Sequence, residues 1–172
     1  MGCDIHLHVE TRNRKYDVDW SHCSFHGDFS CRTYKMFAAL NNVRNDFGIK
    51  PLENRGIPSD LSFLTFIKYY SLIDDNTISD NAIYDNVISS KVADECVKHG
   101  ISKLITRYSH RYISNPDFHS PNWCTTKELS ECYDKVFKDG EVDVDWLALI
   151  GYMEMLESEE DYEVRAVFWF DN

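Results

Sequence analysis

Polar and apolar residues alternate strictly at the start of the chain: Asp4, His6, His8 and Glu10 are interleaved with Cys3, Ile5, Leu7 and Val9. Successive side chains of a strand point to opposite faces, so the spacing predicts a strand over 3–10 with one apolar face and one face of proton- and metal-binding groups. The period then lengthens. Met36, Phe37, Leu40 and Val43 recur at helical spacing and predict a helix over 34–43, ending near 45–48. Pro51, Gly56 and Pro58 mark 49–60 as a structured loop. Ser59 or Asp60 can cap a helix through Leu61, Leu64, Phe66 and Ile67. Ser89 or Ser90 opens a short helix with Val92, Ala93, Cys96 and Val97 on one face, ended by Gly100. Thr125 and Glu128 make a capping box for a helix that buries Leu129, Cys132, Tyr133, Val136 and Phe137. Asp143 or Asp145 starts a last helix through Leu147, Ile150 and Met153. The run Val164 to Phe170 is an apolar, aromatic strand. Tyr16 to Trp20 is a candidate second strand, and 21–33, 74–86 and 107–124 read as loops.

Both ends of the chain read as strands, and chain ends stay ordered when a sheet ties them down. The expectation is an α+β protein over 1–172 as a single domain. A small, mostly antiparallel sheet would pair the N- and C-terminal strands beneath four or five helices.

Composition narrows the function. With 43% hydrophobic and 14% aromatic residues, 172 residues can build a proper core. Twenty-nine acidic against 18 basic residues give a net charge of -11, a sign that opposes non-specific binding to nucleic acid or an anionic membrane. There is no apolar run long enough to cross a bilayer and no secretory leader pattern. Met1-Gly2 is not followed by Ser or Thr at position six, as a myristoylation motif requires. These readings point to the cytoplasm, where the six dispersed cysteines are expected to be reduced. His22, Cys23, His26 and Cys31 cluster loosely, but their spacing matches no standard zinc pattern.

Three segments carry the candidate chemistry: Asp4-x-His6, Arg55-Gly56-Ile57-Pro58-x-Asp60, and His119-Ser120-Pro121-Asn122-Trp123. Asp4, His6, Asp60 and His119 together would offer two carboxylates and two imidazoles. Such a set suits a divalent metal with open positions, or acid–base work. Arg44 and Arg55 could fork onto a phosphate, Ser120 could donate to the same group, and Trp123 or Tyr34 could stack on a base.

The chain resembles a family of small, uncharacterised phage and bacterial proteins that begin Met-Gly-Cys-Asp-Ile-His. The matching segments are Met1 to His6, the helix Tyr34 to Arg44, Arg55 to Ser62, His119 to Trp123, and Arg165 to Asn172. Where that family reads His-Ser-His-Ser-Trp, this chain has Phe118-His119-Ser120-Pro121-Asn122-Trp123 and so lacks one histidine. The resemblance implies a phage origin, with the host cytoplasm as location, and a contact between the C-terminal Asp171-Asn172 and the N-terminal motif. It implies no particular reaction.

Three functions follow as expectations. The first is metal-dependent hydrolysis of a nucleotide or other phosphorylated small molecule by Asp4, His6, Asp60 and His119. The second is non-catalytic sequestration of a host nucleotide signal, an anti-defence role. The third is inhibition of a host enzyme through the acidic stretch Glu157 to Glu163.

Overall fold

The computed structural model describes residues 2–23, 29, 31–76, 86–138 and 140–171. Within them the chain forms five helices and two four-stranded sheets, and it is an α+β protein. It divides into two compact units, Met1–Ser62 with His119–Asn172, and Phe63–Phe118.

The first unit is built on β1 (Asp4–Asn13), the alternating segment at the chain start. It pairs antiparallel along its whole length with β8 (Tyr162–Asp171), Asp4 facing Asp171 and Asn13 facing Tyr162. β2 (Ser21–His22) flanks β1, β7 (His119–Thr125) flanks β8, and the sheet order is β2-β1-β8-β7. The terminal strands thus pair as expected. The apolar face of this sheet carries Ile5, Leu7, Val9, Ala166, Phe168 and Phe170. It packs on α1 (Tyr34–Asn41), α4 (Thr126–Val136) and α5 (Val144–Glu157), with Phe37, Leu40, Leu129, Trp146 and Met153 in the same core. α1 ends where Asn42 turns left-handed at φ 58°, α4 begins with the Thr125–Glu128 capping box, and Asp143 caps α5.

The second unit opens with α2 (Phe63–Tyr69), which starts two residues later than expected, with Leu61 ahead of it and the Asp60 carboxylate bonded to Arg165 and Trp20 instead of capping it, and runs directly into β3 (Tyr70–Ile73). β4 (Val87–Ile88) pairs parallel with β3, and α3 (Ser90–Lys98) follows, capped by Ser89. β5 (Leu104–Arg107) and β6 (His110–Ser114) form a hairpin whose turn holds Tyr108 at φ 55°. The sheet order is β4-β3-β6-β5, around Ile73, Ala93 and Ile113.

Two expectations change. Tyr16 to Trp20 is turn and bend rather than strand, and pairing begins at Ser21. The stretch 107–124 is not loop throughout, because it contains β6 and β7. β7 accommodates Pro121 because it is the sheet edge and its register shifts between His119 and Asn122. A missing N–H costs no ladder bond there. The excursion expected at 74–86 falls mostly outside the described residues, as do His26 and Asn172. No helix among the described residues is long and apolar enough to cross a membrane.

Candidate functional site

The polar face of the first sheet is a continuous row of paired groups. At one end Asp4 holds Arg32 by a two-point ion pair, and that bond keeps its carboxyl below the ordinary range. Next along, His6 Nε2 lies 3.0 Å from Asp171 Oδ2, the N- to C-terminal contact that the resemblance implied. The His6 and His8 rings both stack on Trp169, at 5.6 and 5.0 Å between centroids. His8 Nδ1 meets His22 Nε2 at 3.0 Å, and burial holds the His22 imidazole below its usual pKa, which favours the neutral ring.

The row continues into a buried ion pair. Glu10 is fully buried, and its Oε2 accepts from Arg165 Nε at 2.8 Å while its Oε1 accepts from the Ser62 N–H at 2.8 Å. Arg165 also donates to Asp60 Oδ1 at 2.9 Å and to the Asp60 carbonyl at 3.0 Å, and it lies 3.9 Å over the Trp20 ring. Trp20 Nε1 donates to the other Asp60 oxygen at 2.9 Å. Burial raises the Asp60 carboxyl, but the Arg165 bond and charge and the Trp20 N–H outweigh it and leave the group below its ordinary pKa.

The four residues expected to share a metal are therefore not brought together. Asp4 and Glu10 are six positions apart on one strand, about 20 Å at the usual rise, and Asp60 sits at the Glu10 end. Both oxygens of Asp4 serve Arg32, and both of Asp60 serve Arg165 and Trp20. His119 lies opposite Phe170, whereas His6 lies opposite Trp169, so the two imidazoles are on opposite faces of the sheet. His119 stacks on Phe170 at 6.1 Å, and its Nδ1 is 3.0 Å from Ser120 Oγ. Its Nε2 has no hydrogen-bond partner among the described residues. Ser120 itself adopts φ 50° in the irregular stretch of β7. This arrangement does not fit a shared metal.

The remaining candidates also separate. Arg44 lies against Cys3, whose thiol burial pushes up against the pull of that arginine. Tyr34 meets Phe37 edge-on at the start of α1. Arg55 forks onto Glu128 and lies 4.7 Å over the Trp123 ring. The Arg55 bond is the main cause that holds Glu128 at a pKa of about 2. The buried amide of Asn122 sets this stack: its Oδ1 accepts from the N–H groups of Arg55 and Trp123, and its Nδ2 donates to the Glu53 carbonyl.

Of the predicted residues, Asp60 and Trp123 meet at a common cleft of about 580 Å³. Its walls include the indoles of Trp20 and Trp123, the hydroxyl residues Ser59 and Thr125, and two sets of charge: Arg12, Arg14 and Arg165 against Asp60, Glu157 and Glu163. Arg12 donates through Nε and Nη2 to Glu163, and Arg14 Nε lies 3.2 Å from the same carboxylate. The Arg12 bond chiefly holds Glu163 below its ordinary pKa. Among the described residues no hydrogen bond to the protein engages Nη1 of Arg12 or the terminal nitrogens of Arg14. Arg12 and Arg14 carry a readable signal, because they continue the period of two from Asp4 through Glu10. Trp20 carries none.

Among the described residues one group of metal-competent atoms does lie close together: Cys31, Asp143 and Asp145, within 4.8 Å of one another. Asp143 is already engaged there. Its Oδ2 accepts from Thr33 Oγ1 at 2.7 Å and from Cys31 Sγ at 3.5 Å, and its Oδ1 caps α5 through the N–H groups of Asp145 and Trp146. Burial raises the Cys31 thiol, which keeps the proton on sulfur. The group ties the start of α1 to the start of α5.

Comparison with protein-family models, with curated proteins and with solved structures found no match to this chain.

Proposed function

We propose that this protein binds a mononucleotide-class ligand in the Trp20–Trp123 cleft and holds it without chemical conversion. The observation that carries the reading is the lining. A volume of about 580 Å³ lies within the range of small-molecule pockets, and two indoles, forked cations and hydroxyls converge on it. Arg12 and Arg165 lie over Trp20 and Arg55 over Trp123, and the indole surface that they leave would stack on a base, a contact worth about 1–3 kcal/mol per base in other proteins. The unengaged nitrogens of Arg12 and Arg14 supply donors for a phosphate, and Ser59 supplies a partner for a sugar hydroxyl. In a phage-encoded protein such a pocket would serve sequestration of a host nucleotide signal. Metal-dependent hydrolysis is less well supported, because Asp4, His6, Asp60 and His119 are committed to separate partners.

The test uses the four tryptophans. Trp146 and Trp169 are buried, whereas Trp20 and Trp123 line the cleft. Titration with AMP, GMP, CMP and UMP should quench indole fluorescence saturably for at least one of them, and denaturing the complex should return that nucleotide intact. Trp123→Leu should weaken binding about tenfold, corresponding to one lost stacking contact. A flat titration for all four, or recovery of the nucleoside and free phosphate, would overturn the reading.

A further inference from the structure

α5 is apolar almost all the way round. Trp146, Leu149, Ile150 and Met153 form its buried side. On the opposite side, at 100° per residue, Val144, Leu147, Ala148, Gly151 and Met155 fall within one sector about 100° wide. Every one of them is exposed, Val144 at 69%, Leu147 at 42% and Met155 at 61%. The centre of this stripe is open, since a Cβ built on Gly151 meets nothing within 4 Å. A contiguous apolar face of this kind on a surface helix marks an interaction site.

Charge identifies the occupant. Asp145 borders the stripe on one side and Glu154 on the other, and α5 contains no Lys or Arg. Glu157, Glu159 and Glu160 lie exposed at its C-terminal end, where the helix carbonyls add partial negative charge. A second copy is disfavoured. In an antiparallel pair centred on Gly151, Leu147 would meet Met155, but Asp145 would face Glu157 with no cation between chains that each carry -11.

We propose that this face of α5 docks an amphipathic helix of a partner protein whose apolar stripe is flanked by lysines or arginines. The apolar stripes pack against each other while the flanking cations meet Asp145, Glu154 and the acidic C-terminal end.

The probe is a labelled 18-residue helical peptide with leucines at i, i+3, i+4 and i+7 and lysines elsewhere. Two control peptides have glutamate in place of lysine, or the same residues permuted so that the leucines are spread around the helix. Wild type should bind the Leu/Lys peptide at least tenfold tighter than either control, with affinity falling as salt rises. Gly151→Arg and the double variant Leu147→Lys/Met155→Lys should each lose at least tenfold, with unchanged circular dichroism and a thermal midpoint that does not fall. Gly151→Arg enters open space and improves helix propensity, so it tests docking without testing folding. Equal binding of the Leu/Lys peptide and its permutation, unchanged binding by the variants, or no binding would each overturn the proposal. So would a wild-type dimer in sedimentation that these substitutions make monomeric, because the face would then hold a second copy.

Discussion

Glu10 and Arg165 show how a residue can look like chemistry and serve as structure. Glu10 continues the polar alternation of the first strand, yet it is fully buried, and both of its oxygens are occupied. Replacing one partner leaves a buried, uncompensated charge, whereas replacing both with apolar groups removes the penalty as well as the bond. Glu10→Ala should therefore cost about 3–5 kcal/mol in urea denaturation, and Glu10→Met with Arg165→Met should cost clearly less than Arg165→Met alone. An equal loss in the double variant would contradict this account. A second prediction concerns pH. Glu128 has a folded pKa of about 2 because of Arg55, below the ordinary value of 4.5, so its ion pair stabilises the fold above about pH 4.5. That stability should be lost progressively as pH falls from there toward 2. Glu128→Gln should flatten this acid limb, and an unchanged slope in pH-dependent melting would show that the pair contributes nothing.

Among the elements, α5 carries the simplest test. Gly151 sits in the middle of a 14-residue helix with open space around it. Gly151→Ala should raise stability by about 0.5–1 kcal/mol through helix propensity alone. A thermal midpoint that falls would mean that the Gly151 backbone is packed against something. Helix starts were legible where their signals are local: Ser89 ahead of α3, the Thr125–Glu128 box and the Asp143 cap all lie within four residues of the turn they govern, whereas α1 stops at the left-handed Asn42, short of the end expected near 45–48. β7 was not legible. Its His-Ser-Pro-Asn run has turn composition, and only its place at the sheet edge makes it a strand. The second sheet was missed for a related reason, since its strands are two to five residues long. The polar face of β1 was readable as a pattern, but its partners were not. Asp171 and Arg165 lie 165 and 155 positions from His6 and Glu10, and nothing local indicates such pairings.

For the whole molecule, the net charge of -11 and the cleft act in different ways. The overall field repels polyanions, but the cleft sets Arg12, Arg14 and Arg165 beside two indoles and balances them against Asp60, Glu157 and Glu163. A small nucleotide that buries its base against Trp20 and Trp123 would reach the free guanidinium nitrogens of Arg12 and Arg14 directly, while the acids elsewhere on the surface are screened by salt. Affinity should therefore depend on Arg14. Arg14→Ala should weaken a mononucleotide more than the corresponding nucleoside, and an equal loss for both would place the phosphate elsewhere. The most direct measurement is the indole N–H spectrum of ¹⁵N-labelled protein during titration with the nucleotide that binds best. The account predicts that the Trp20 and Trp123 signals move saturably while those of the buried Trp146 and Trp169 stay in place. Four unmoved signals, or movement confined to Trp146 and Trp169, would contradict it.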